Sequence, residues 1–218
     1  MSTVRLVVFD WDGTLMDSQD RIVASMQHAA AQVGVDVPTT EAVCDIIGLG
    51  LREALDVLFP TLGSVGRDAL VAAYREQFME RCTVPSALFP GARATLEALQ
   101  ARGHQLAVAT GKGRQGLERV LHETGLAAFF AATRCADETA SKPHPQMLVE
   151  IMAQLQVDPS QTLMVGDTEY DLRMARSAGV RGLAVTYGVH PRTRLAAHAP
   201  VGFIDTVDEI VAWLAQRA

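Results

Sequence analysis

The chain has 218 residues, 49% hydrophobic and 20% charged, which is enough for one large domain or two modest ones with a real buried core. A formal charge of −6 and a pI near 5.5 exclude any general attraction to nucleic acid or anionic lipid, so an anionic substrate must be held by local basic groups. No segment is long enough to span a bilayer, the N-terminal apolar run is too short for a signal peptide, and Cys44, Cys82 and Cys135 lack any CxxC or zinc spacing, so free thiols in a soluble cytoplasmic protein are expected.

The first element is the apolar run Val4 to Phe9, which does not alternate and suits a strand covered on both faces of a parallel sheet. It ends in Asp10, Trp11, Asp12, Gly13 and Thr14. From about Asp17 to Pro85 the chain reads as helices. Ile22, Met26, Ala29, Ala30 and Val33 form one apolar face ending at Gly34; Leu51, Leu55 and Leu58 form a second before Pro60; Leu70, Tyr74, Phe78 and Cys82 form a third. Helices then alternate with strands: "PGARATLEALQARG" precedes "HQLAVAT" (His104 to Thr110), "PQMLVEIMAQLQV" precedes "TLMVGD" (Thr162 to Asp167), and "DLRMARSAG" precedes "RGLAVTYG" from Arg181. Weaker strand signals lie near Thr133 and Phe203, and an amphipathic helix over Val207 to Gln216 closes the chain. The pattern predicts an α/β fold, a doubly wound, Rossmann-like parallel sheet of residues 1–16 and 86–218, with a small helical cap of residues 17–85 inserted after the first strand.

Ligands of open α/β sheets bind beyond the carboxyl ends of the strands. Those ends carry Asp10 and Asp12, then Thr110, Gly111 and Lys112, then Lys142 in "SKPHP", then Asp167 and Asp171. Clustered carboxylates are tolerable around a divalent cation, and Asp10 and Asp167 are natural ligands for Mg²⁺. With Lys142 offsetting charge, an Asp10 oxygen can attack phosphorus, while Asp12 protonates the leaving oxygen and later draws a proton from water. Thr110, with backbone amides near Gly111 and Gly13, would hold phosphoryl oxygens, beside Thr14. In the insert, "IIGLGLREAL" offers Gly48 and Gly50 for a bend and Arg52 either as an anchor for a substrate carboxylate or, more in keeping with an arginine on a helix face, as a solvated charge; Lys112 and Arg114 either help attract a phosphate or face water. Trp11 reads as a packing residue, and His144 and His190 as surface residues.

These residues resemble the haloacid dehalogenase superfamily of phosphohydrolases: DxDGT at Asp10 to Thr14, a Thr ending the next core strand at Thr110, Lys-Pro at Lys142, and GDxxxD at Gly166 to Asp171. The pattern is similar to phosphoglycolate phosphatases, including "PGA" at Pro90, although Gly111 stands where that subfamily often has Asn. The resemblance implies Mg²⁺ bound by Asp10, the backbone carbonyl of Asp12, and Asp167, with Asp171 supporting the site. It implies a phosphatase acting through an aspartyl phosphate on a small phosphorylated metabolite; the acidic charge already argues against nucleic acid and membrane as partners, and either a monomer or a homodimer is expected. A sugar phosphomutase shares the motifs. A receiver-type signalling module shares the acidic cluster, Thr and Lys, but needs neither Asp12 nor a cap.

Overall fold

The structure, a computed structural model, describes residues 3–217. Its frame is a six-stranded sheet built from β1 (Leu6–Phe9), β4 (Gln105–Thr110), β5 (Ala132–Cys135), β6 (Thr162–Gly166), β7 (Arg181–Val185) and β8 (Gly202–Ile204), whose numbering leaves β2 and β3 to the insert. The strands are all parallel and lie in the order β5-β4-β1-β6-β7-β8. Burial on two faces explains the unbroken apolar run of β1: Val7 and Phe9 enter one core while Leu6 and Val8 enter another. The first core is closed by helices α5 (Ala92–Ala101), α6 (Arg114–Thr124) and α10 (Glu209–Ala215); the second by α7 (Gln146–Leu155) and α8 (Glu169–Ser177), with the short α9 (Arg192–Ala196) packing Leu195 beside Leu172. Chain order reverses about β1, so the crevice beyond β4, β1 and β6 is the topological switch point.

Between β1 and β4 the chain leaves the sheet through a two-residue ribbon. In it β2 (Met16–Asp17) pairs antiparallel with β3 (Ala87–Leu88). Four helices lie between those strands: α1 (Gln19–Val33), α2 (Thr40–Ile46), α3 (Leu51–Leu58) and α4 (Ser64–Glu76). They enclose a core of their own, centred on Met26, Val43, Leu55 and Leu70. Helix α1 stops at Gly34, whose φ of +78° only glycine adopts cheaply. The sequence pattern did not separate α2, which has seven residues and buries only Val43 and Ile46. The third expected face runs on past α4 into a π-helical turn, Gln77–Arg81.

The run from Arg181 departs from the sequence pattern. Pairing stops at Val185, and the next residues fold back over the end of β6. Gly188 makes this possible: a Cβ there would lie 2.2 Å from the Asp167 Cβ.

Candidate active site at the carboxyl edge of the sheet

Asp10 leaves β1 with its N–H bonded to the Val165 carbonyl at 2.9 Å, which fixes its backbone against β6. Its Oδ1 accepts from the Trp11 N–H at 2.6 Å and faces the Lys142 ammonium at 2.7 Å. Its Oδ2 is buried and has no hydrogen-bond partner. Lys142 also pairs with Asp171 Oδ1 at 2.7 Å. The other Asp171 oxygen accepts from the Thr168 N–H and hydroxyl, at 3.1 and 2.7 Å, in the capping box that starts α8. Asp167 is held at both oxygens, by the Thr14 hydroxyl and the Val189 N–H, each at 2.8 Å.

Asp10, Asp167 and Asp171 each bring one oxygen within 4.8 Å of the others, and all three are buried. Fully ionised, three carboxylates around one ammonium leave two negative charges uncompensated. Burial therefore pushes Asp10 well above the usual carboxylate range, Lys142 opposes that, and Asp171 and Asp167 add to it. Asp167 is pushed up to about 7, by burial first and by Asp171 second. Burial pulls Lys142 down, but Asp10 and Asp171 outweigh it and leave the amine raised. The unpartnered Asp10 oxygen, the charge deficit and the all-oxygen donor set fit a hard divalent cation.

Asp12 is held separately. Its carboxylate accepts from the Ser18 hydroxyl at 2.5 Å and grips the Lys112 ammonium with both oxygens, at 2.8 and 3.0 Å. The same ammonium lies 4.6 Å from the centre of the Phe78 ring, in the π-helical turn of the insert. Asp10, Asp12, Gly111 and Lys112 form the sheet side of a cavity of ≈ 450 Å³; α1, the 46–54 segment and the 74–79 segment form the other side.

The structure thus brings Asp10, Asp12, Lys112, Lys142, Asp167 and Asp171 to one place, with Thr110 fully buried behind the cavity wall and accepting the Lys112 N–H at 3.1 Å. Other expectations change. Thr14, expected at the substrate, is fully buried with its hydroxyl on Asp167. The Gly13 N–H is used by the Met16 carbonyl at 2.8 Å, so it is committed to the turn rather than to a phosphoryl oxygen; at φ +83° a Cβ would strike Asp167. Arg52 borders the cavity, with its guanidinium paired with Asp68 at 3.1 Å and its side chain 67% exposed, which matches the solvated reading of this arginine. Lys112 is bound to Asp12 rather than offered to a phosphate, and Arg114 is drawn away by Glu138 and Thr133. His190, expected at the surface, is buried: its ring accepts the Glu169 N–H at 3.1 Å beside Tyr170. His144 is exposed and Trp11 is packed, as their sequence contexts suggest.

Two residues went unread. Ser18 stands at the start of α1 without capping it; its hydroxyl goes to Asp12, and only the tight turn at Asp12–Met16 brings the two together. Ser141 accepts the Gly50 N–H at 2.7 Å and ties the insert to the segment carrying Lys142. Gly48 has a φ of +104°, and a Cβ there would meet Thr168. Gly111 likewise explains the missing Asn: a Cβ would lie 2.4 Å from the Leu49 carbonyl oxygen.

Comparison with known proteins agrees with this geometry. Residues 7–185 match the haloacid dehalogenase-like hydrolase family. The chain is 36% identical over 210 residues to the probable phosphatase IndB of Dickeya dadantii, covering 94% of this chain and 91% of that one. It is 34% identical over 185 residues to the tyrosine-protein kinase PtkA of Mycobacterium tuberculosis, covering 84% of this chain but only 62% of PtkA. A crystal structure of a predicted phosphoglycolate phosphatase from Haemophilus somnus superposes with a TM-score of 0.86 at 27% identity, covering 98% of this chain and 99% of that one. With the family's motif residues gathered at the switch point of the same sheet, the chain belongs to the haloacid dehalogenase-like hydrolases.

Proposed function

We propose that this chain, a phosphatase of the haloacid dehalogenase-like family, hydrolyses a small phosphomonoester with Mg²⁺ through a phosphorylated Asp10. The observation that carries the reading is the buried Asp10, with one oxygen held by Lys142 and Trp11 and the other unpartnered, on the wall of a cavity. Asp10, Asp167 and Asp171 would hold the metal, with the Asp12 carbonyl as the ligand that the resemblance adds. When bound, Mg²⁺ neutralises charge on the cluster and on the phosphoryl oxygens.

The protein's own groups do the rest. An Asp10 oxygen attacks phosphorus in line with the ester oxygen, and the P–O bond to the alcohol breaks as the P–O bond to Asp10 forms. Lys142 opposes the rise that burial imposes on Asp10, favouring its ionised form, and balances charge in the transition state. Protonated Asp12 gives its proton to the departing alcohol oxygen. The ionised form, in which Asp12 accepts from Ser18 and Lys112, is the one that draws a proton from the water attacking the aspartyl phosphate. The insert shields the reaction from bulk water while closed and reopens for release.

The test is phosphate release from p-nitrophenyl phosphate with and without Mg²⁺. Activity is expected only with the metal, and Asp10→Asn is expected to lose at least about 10³-fold in kcat with an unchanged circular dichroism spectrum. An Asp10→Asn protein that kept wild-type turnover would remove the nucleophile assignment.

A further inference from the structure

We infer that the natural ester carries a bulky, predominantly apolar alcohol rather than a short carboxylate-bearing one such as glycolate; the inference rests on the phosphatase reading above. The cavity of ≈ 450 Å³ is the size of a typical small-molecule site and much larger than a phosphoryl group joined to a two-carbon acid. Opposite Asp10 and Asp12, its wall includes Ile22, Met26, Ile47, Leu49, Leu51 and Met79, which offer no side-chain hydrogen bond beyond a weakly accepting thioether.

Apart from the Tyr74 hydroxyl and the Gln115 amide, the polar groups nearest Asp10 and Asp12 are already engaged. Arg52 pairs with Asp68 outside, and Lys112 is clamped by Asp12 and the Phe78 ring. The Gly50 N–H is used by Ser141 and the Lys112 N–H by Thr110. Of the remaining charged groups on the wall, Arg75 lies at the exposed rim away from Asp10, on the α4 side of the chamber, while Glu53 and Asp137 would repel a second negative charge. A carboxylate or a polyhydroxylated sugar entering this chamber would lose water and find few partners, a loss that an apolar group does not suffer.

The experiment compares Mg²⁺-dependent phosphate release from ethyl, butyl, hexyl and benzyl phosphates with release from 2-phosphoglycolate and glucose 6-phosphate. The straight-chain alkyl esters have leaving groups of nearly equal acidity, so differences among them report binding rather than intrinsic reactivity. The expected result is a kcat/KM that climbs about two- to fourfold per added methylene until the chamber is filled. Benzyl and hexyl phosphates are expected to exceed phosphoglycolate by about tenfold or more. Leu51→Gln and Met79→Gln, at half-buried positions where the fold tolerates a polar side chain, are expected to lower the hexyl-to-ethyl ratio. A flat or falling alkyl series, with phosphoglycolate or glucose 6-phosphate preferred, overturns this inference and leaves the phosphatase reading standing. No Mg²⁺-dependent release from any ester by folded protein removes that reading and this one together.

Discussion

Asp10, Asp167 and Asp171 form a buried acid cluster that one lysine cannot neutralise, and this has a consequence for stability that does not depend on turnover. The folded metal-free protein retains protons on Asp10 and Asp167 that the unfolded chain releases near pH 4, since burial raises both groups, Asp167 to about 7. Through that window the unfolded state binds fewer protons, so the cluster's contribution to stability falls as pH rises from about 4 to 7. A divalent cation needs the ionised carboxylates and displaces those protons. The rise in Tm caused by Mg²⁺ is therefore expected to be small at pH 5 and larger at pH 8, as measured by calorimetry at constant ionic strength. Equal rises at both pH values would place the cation elsewhere. Lys142→Met tests the same balance from the other side. Removing the ammonium leaves Asp10 and Asp171 unpaired in the interior, and a broken buried pair typically costs about 3–5 kcal/mol. Denaturant unfolding is expected to show that loss without metal and partial recovery with Mg²⁺. Asp10 and Asp167 were legible in the sequence because each follows an apolar strand, and Asp171 and Lys142 because they stand at fixed places in GDxxxD and Lys-Pro. The Thr14 hydrogen bond to Asp167 was not, because it joins positions 153 apart in the chain that only the sheet order brings together.

At the level of elements, the loop from Ile47 to Gly50 is the joint between insert and sheet. It meets the segment after β4 at Gly111, the segment before α7 at Ser141, and the start of α8 at Thr168. Three glycines, Gly48, Gly50 and Gly111, lie where added Cβ atoms would collide with these neighbours. Gly111→Asn, which restores the residue common among phosphoglycolate phosphatases, is expected to push the Gly48–Leu49 carbonyls away and to lower kcat/KM about tenfold or more. Tm is expected to change little, since Gly111 lies outside the sheet and helix pairings; the pair of measurements separates a closure defect from a folding defect. The sequence revealed β1, β4 and β6 because strands buried on both sides have little choice of residue. It concealed α2, with two buried side chains, and the β2–β3 ribbon, with two residues per strand, because neither is long enough to show a period. The π-helical turn at Gln77–Arg81 was hidden as well, because a continuing apolar face looks the same whether or not one turn is widened.

Across the whole molecule, the insert is also fastened far from the chemistry. Arg194 on α9 pairs with Asp45 on α2 and with Glu169 on α8, the latter at 2.8 Å, and the Tyr170 hydroxyl donates to the Asp45 carbonyl at 2.8 Å. Hydrogen bonding to Arg194 is the largest influence holding Glu169 down near 2, with burial opposing it and His198 adding to it, so Arg194 stays paired across the working pH range. Neither end of this fastening could be assigned from the sequence, where Asp45 and Arg194 are ordinary charges on helices 149 residues apart. An exposed ion pair contributes little to global stability, but one that exists only when two bodies touch biases their closure. Asp45→Ala, which breaks the contact between insert and core and leaves Arg194 on Glu169, is accordingly expected to leave Tm within about 2 °C of wild type. The same substitution is expected to speed hydrogen exchange across α2 and to raise KM about three- to tenfold, because substrate binding must then supply closure that the ion pair no longer favours. Wild-type exchange in α2 together with an unchanged KM would mean that the Gly50–Ser141 contact alone sets the closed position, and the Asp45 contacts would then be incidental to the catalytic cycle.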